Sequence, residues 1–73
     1  MKLDQIVIDP AVCEGRPTIR GTRMTVDFIL RCIADGLAPE DIVREYPVLR
    51  LDDVRQAARY AAWLANERTL ATA

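Results

Sequence analysis

Apolar and polar positions divide the chain into two unlike parts. Near the start, Gln5-Ile6-Val7-Ile8 is a short β-branched run closed by Asp9-Pro10, the pattern of a strand running into a turn. Thr18-Ile19-Arg20 has strand character again, and Gly21 breaks it. Two strands this short are marginal alone. They pair either within one chain or with a second copy. Val12 and Cys13 between them are apolar and are expected to tuck under the domain.

From Thr25 onward the period changes to that of a helix. Thr25 is a plausible N-cap; Val26, Ile29, Leu30 and Ile33 repeat at helical spacing, and Gly36 suits the stop. A first helix is therefore predicted over 26–35. Asp27 and Arg31 stand at i,i+4 in the favourable order. The second helix is predicted over 39–46. Pro39 fits its first position, and Leu37 and Ile42 have the spacing of a hydrophobic staple around Ala38. Ala38 has no side-chain oxygen and makes a weak cap. Ile42, Val43 and Tyr46 give this helix an apolar face, Arg44 is placed to pair with Glu40, and Pro47 ends it.

The third helix is predicted over 51–66. Leu51, Val54, Ala58, Ala61 and Ala65 form its stripe, widened by Ala57 and Leu64. Residues 69–73 read as a frayed or extended tail, so the domain is placed at 1–68. The expected fold is mainly α: a three-helix, helix-turn-helix domain, homeodomain-like or winged-helix-like, with a short N-terminal β-hairpin. Many three-helix domains share that outline.

Length and charge narrow what such a domain can do. With 73 residues the core is thin, and self-association would help it. Ten basic residues face eleven acidic ones, a formal net charge of -1. A chain without a basic excess can grip nucleic acid only through a local patch, or through a dimer that concentrates such patches. No apolar run approaches a membrane span, and the N-terminus lacks the look of a signal peptide. A cytoplasmic protein with reduced Cys13 and Cys32 is expected, without a disulfide between them.

Catalytic chemistry is not suggested by the residue types. The chain has no histidine, which removes the commonest general base and metal ligand. No glycine-rich phosphate loop occurs, because Gly15, Gly21 and Gly36 are scattered. The pairs Glu40-Asp41 and Asp52-Asp53 are the spacing-poor beginnings of a metal-carboxylate site, but both fall in predicted first turns, where acids complement the helix dipole. No enzyme, metal, cofactor or small-molecule substrate is expected.

The local patch is Gly15-Arg16-Pro17-Thr18-Ile19-Arg20-Gly21-Thr22-Arg23, with three arginines and no acid. Forked guanidinium hydrogen bonds suit phosphate or carboxylate. Arg16, Arg20 and Arg23 are thus candidates for a nucleic-acid backbone or for acidic side chains of a partner. A solvated hairpin whose arginines pair with Glu14, Asp27 or a dimer mate remains open. On the last helix Arg55 and Arg59, at i,i+4, would reach bases or phosphates if that helix entered a major groove; the alternative is an exposed pair between Arg55 and Asp52. Tyr60 and Trp63 are either partner anchors or core filling, with Phe28 as their aromatic companion. Leu70 is a lone apolar residue in the tail.

The string Asp9-Pro10-x-Val12-Cys13-x-Gly15-Arg16-Pro17-Thr18-Ile19-Arg20-Gly21-Thr22-Arg23 resembles the signature of the DUF433 family. The likeness continues through Ala34-x-Gly36-Leu37-x-Pro39-Glu40-Asp41-Ile42, Tyr46-Pro47-x-Leu49, Asp53-Val54-x-x-Ala57 and Tyr60-Ala61-Ala62. It implies a compact, commonly dimeric helix-turn-helix domain with a short β element. It also implies a prokaryotic, VapB-like antitoxin of a type II toxin–antitoxin pair, whose partner is a PIN-like ribonuclease toxin and which binds operator DNA as a homodimer. On that reading Arg16, Arg20, Arg23, Arg50, Arg55 and Arg59 serve nucleic acid. Tyr60, Trp63, Leu64, Glu67, Arg68 and Leu70 serve the toxin, with Glu67 or Arg68 interfering at a metal-carboxylate nuclease site. A stand-alone DNA-binding regulator and a structural dimerisation module are the alternatives. The chain departs from the family pattern at Arg50, where a capping Thr is usual, and at Ala38, where Ser is usual. A lost cap costs about 1 kcal/mol.

Overall fold

The computed structural model describes the backbone of residues 3–72 and the side chains of residues 3–66. Two strands, β1 (Ile6–Val7) and β2 (Thr18–Ile19), precede three helices, α1 (Val26–Ala34), α2 (Pro39–Glu45) and α3 (Leu51–Thr72). The fold is mainly helical with a short antiparallel hairpin at its N-terminus, as the periodicities predict. The strands pair within the chain, Ile6 opposite Ile19 and Val7 opposite Thr18. On its other side β2 is bridged to Thr25, so β2 lies inside and β1 at the edge.

Each helix boundary has a local cause. Thr25 Oγ1 accepts the Phe28 N–H at 3.0 Å, and α1 starts there. It ends one residue earlier than predicted: Gly36 N–H donates to Ile33 C=O (3.0 Å) and Leu37 N–H to Cys32 C=O (3.1 Å). That crossed pair is the Schellman stop, and Gly36 supplies its left-handed residue with φ 96°. Neither α2 nor α3 has a cap side chain that accepts an amide. Both use the reciprocal half of a capping box instead. Asp41 accepts the Ala38 N–H (3.2 Å), and Asp53 accepts the Arg50 N–H (2.8 Å). Two of the acids expected to suit the helix dipole, Asp41 and Asp53, therefore also make specific bonds.

Three ion-pair and packing expectations are corrected. Arg44 bonds Asp41 at 3.2 Å rather than Glu40, because Asp41 is already turned toward the helix start. Helix α3 continues to Thr72, beyond the predicted end at Asn66 and through most of the segment expected to be a frayed or extended tail. The physical reason is the absence of any glycine or proline after Pro47 in an alanine-rich stretch. Its buried line is also rotated: Asp53, Val54, Gln56 and Ala57 face inward, while Ala58 and Ala65 are exposed. Gln56 can face inward because its amide is fully hydrogen-bonded, as described below.

The core joins the hairpin to all three helices. Ile19, Val26, Ile29, Cys32, Ile42, Leu49, Val54 and Ala57 are buried together, with Ile6, Met24, Tyr46 and Tyr60 packed around them. Leu49 belongs to the turn between α2 and α3, where its N–H donates to Tyr46 C=O (2.9 Å). A buried leucine in the turn locks the two helices of the helix-turn-helix unit. Phe28 packs edge-on against Tyr46, ring centroids 5.2 Å apart, rather than joining Tyr60 and Trp63. Among the described residues no helix is long and apolar enough to cross a membrane. Cys13 and Cys32 are both free thiols.

Candidate nucleic-acid interface

The arginine segment is shaped by its backbone before its charges matter. Cys13, Glu14 and Gly15 have φ of 48°, 59° and 81°, three successive left-handed residues. They curl the chain so that Cys13 C=O receives the Arg16 N–H (3.1 Å) and the Arg16 Nε (3.4 Å). Pro17 then starts the extended run into β2. Five residues after Pro17, Thr22 N–H closes a turn onto Ile19 C=O at 3.0 Å. Gly21, with φ 77°, holds the third place of that turn, which a side chain would strain. Thr22 Oγ1 fastens it twice, donating to Ile19 C=O (2.8 Å) and accepting the Met24 N–H (3.0 Å).

Arg20 sits at the centre of this arrangement. Its N–H donates to Gln5 C=O (2.8 Å) and its Nε to Asp4 C=O (3.0 Å). Arg20, Gly21 and Thr22 form a rib between two open grooves. One, of about 480 Å³, runs along the hairpin beside Val7, Asp9, Val12 and Arg23. The other, of about 280 Å³, lies between the hairpin and the start of α3, beside Gln5, Val48, Arg50 and Asp53. The structure thus brings Arg20 and Arg23 to one groove, and Arg20 and Arg50 to the other.

The remaining candidates fall elsewhere. Arg16 is exposed but lines neither groove. Arg55 and Arg59 are exposed on α3. Arg55 makes no pair with Asp52, whose carboxylate accepts from Gln56 instead. Among the described residues the ion pairs are Arg31–Asp27 (3.1 Å), as the spacing predicts, and Arg44–Asp41. Among the arginines whose side chains are described, the six proposed for nucleic acid are the ones outside those pairs.

Sequence reasoning missed Gln56. It is 2% exposed, yet every polar atom of its side chain is used. Its Oε1 accepts the Gln5 N–H (2.9 Å), and its Nε2 donates to Asp4 Oδ1 and Asp52 Oδ2, both at 2.8 Å. A backbone donor on one side and two carboxylates on the other leave the amide one satisfactory orientation. Gln56 thereby pins the N-terminal arm, and with it the Arg20 anchor on Asp4, to α3. The available signal was a lone glutamine in an alanine-rich stripe, which spacing alone reads as surface.

The proposed partner residues divide. Tyr60 is half-buried against the core, whereas Trp63 is 46% exposed, and their rings stack with centroids 6.3 Å apart. Leu64 is half-buried. The side chains of Glu67, Arg68 and Leu70 lie outside the described residues. Among the described residues no cluster of three or more histidine, cysteine or acidic side chains could hold a metal ion.

The fold and this surface define a small helix-turn-helix domain with an arginine-bearing hairpin at its N-terminus. Residues 6–61 match the family described as a protein of unknown function (DUF433), and the chain belongs to that family. It is similar to a solved structure, a DUF433 member protein from Anabaena variabilis ATCC 29413, with a TM-score of 0.77 and 28% sequence identity. That likeness covers 86% of this chain and 62% of the other, so the chain spans less than two thirds of its solved relative. No curated protein matches.

Proposed function

We propose that this chain is the antitoxin of a type II toxin–antitoxin pair, a non-enzymatic cytoplasmic protein that binds operator DNA as a homodimer and restrains a PIN-like ribonuclease toxin. The observation carrying the DNA half is the sorting of arginines. Arg31 and Arg44 are neutralised by neighbouring acids, while Arg20, Arg23 and Arg50 border open grooves and Arg55 and Arg59 stand exposed on α3. A chain with net charge -1 that leaves such a set unpaired has a local, not a global, affinity for phosphate. The toxin half is supported by family resemblance and by the outer part of α3, which carries the exposed Trp63 beyond the core.

Two measurements separate the halves. Co-expression and pull-down with the product of the adjacent gene should recover a complex and suppress that product's toxicity; a harmless, non-binding neighbour sinks the toxin half. Gel shifts with the upstream DNA should weaken with salt, and Arg20→Ala or Arg55→Ala should each lower the salt slope by about 1 per subunit, about 2 for the dimer. A stand-alone regulator would keep the DNA result without the complex. The module reading has its own support, since Arg16 and Arg20 spend their Nε atoms on backbone carbonyls. It predicts that Arg20→Ala changes stability and leaves no DNA affinity to lose.

A further inference from the structure

The outer edge of β1 is only partly filled, in a way that fits one partner. Ile6 stands opposite Ile19, but Ile19 N–H goes to Met24 C=O and Ile6 N–H to Leu3 C=O, so the two do not exchange bonds. The neighbouring Gln5 C=O takes the Arg20 N–H instead. By strand alternation the backbone groups of Ile6 and Ile8 then point away from β2. Among the described residues no hydrogen bond engages either backbone group of Ile8. Its side chain is 61% exposed, the most exposed large hydrophobe described. Unpaired edges of this kind are pairing templates.

We propose that two copies of this chain join antiparallel along β1 about a two-fold axis at Val7, making one four-stranded sheet. The register follows from the residues. Centred on Val7, Ile6 faces Ile8 of the second copy and Gln5 faces its Asp9, with no like charges opposed. Centred on Ile6, the exposed Ile8 would face Asp4. Centred on Ile8, Ile6 would face Pro10, which has no N–H to give. In the Val7 register Ile8 N–H donates to Ile6 C=O of the second copy, and Ile6 N–H turns from its long 3.2 Å bond with Leu3 to the Ile8 C=O there. The two-fold repeats both bonds. Pairing lifts the hairpin out of the marginal two-strand class. It sets the two β2 strands three spacings, about 14 Å, apart, and so gathers the arginine turns of both copies on one sheet.

This rests on the homodimer of the proposed function but is separable from it, because it is tested without DNA or toxin. Sedimentation over a wide concentration range should show a dimer. Ile8→Pro removes an N–H that the single chain does not use and should yield a folded monomer. In a Cys13→Ser background, Val7→Cys should give a disulfide-linked dimer on mild oxidation, since the two Cα atoms would lie about 4.5 Å apart. Asp35→Cys in the same background should stay unlinked. A protein that is monomeric at every concentration overturns the proposal. A dimer that survives Ile8→Pro, or one in which Val7→Cys fails to crosslink, overturns it too, and leaves DNA and toxin binding to be judged separately. If Ile8→Pro does not fold, the crosslink alone decides.

Discussion

Single side chains settle matters here that charge counting does not. Gln56 is the sharpest case, since one amide ties the N-terminal arm to α3 through Gln5, Asp4 and Asp52. Gln56→Ala should destabilise the domain by about 1–3 kcal/mol in chemical denaturation, the cost of stranding buried polar partners. Gln56→Glu should be worse at neutral pH. It loses both donors and sets a third carboxylate beside Asp4 and Asp52. Its deficit should shrink as the pH falls, because protonation restores a donor and removes the repulsion. Equal stability of all three proteins would show that the arm is held by something else. Gln56 was not legible in the sequence because burial of a polar residue depends on partners far away in the chain. The sequence did point to Thr25 and Gly36, whose roles are completed by groups within a few residues.

Among the elements, helix starts were legible by position and not by mechanism. Ala38 and Arg50 are poor caps, as their chemistry says, yet α2 and α3 begin where Pro39 and Leu51 predict because Asp41 and Asp53 accept the cap amides. Arg50→Thr would add the missing half of the box. It should stabilise the domain by about 0.5–1 kcal/mol while weakening DNA binding through loss of a groove cation. A gain in both would argue that Arg50 has no part in binding. The end of α3 is not legible in the sequence, since an alanine-rich helix without a stop residue carries no local mark of where to finish. Its core residues end with Ala57 and the flanking Tyr60. Ending the chain after Asn66 should therefore barely change the denaturation midpoint but abolish toxin neutralisation in co-expression. Retained neutralisation would move the toxin contact onto the three-helix body.

For the molecule as a whole, the patterns of period two and period 3.6 were enough to predict a hairpin followed by three helices. They could not say that β2 lies between β1 and Thr25, because strand order is set by tertiary contacts. Nor could they choose which arginines share a groove. Arg20 and Arg50 are thirty positions apart in sequence, and only the docking of the hairpin on α3 brings them together. The same docking explains why an overall net charge of -1 says little about the surface. Acids such as Asp27, Asp41 and Asp53 are used internally, and the arginines they do not cover remain available to a partner.

The curl at Cys13–Glu14–Gly15 has a stereochemical meaning. Its three residues wind in the sense opposite to the helices that follow, and two of them carry side chains. For an L-residue that hand costs about 1–2 kcal/mol. Positions 13 and 14 are therefore places where the mirror-image amino acid would be at ease and the natural one is not. The chain reverses its handedness for one short turn just before the arginines, and two backbone bonds close it, Gly15 N–H to Val12 C=O (3.0 Å) and Arg16 N–H to Cys13 C=O (3.1 Å).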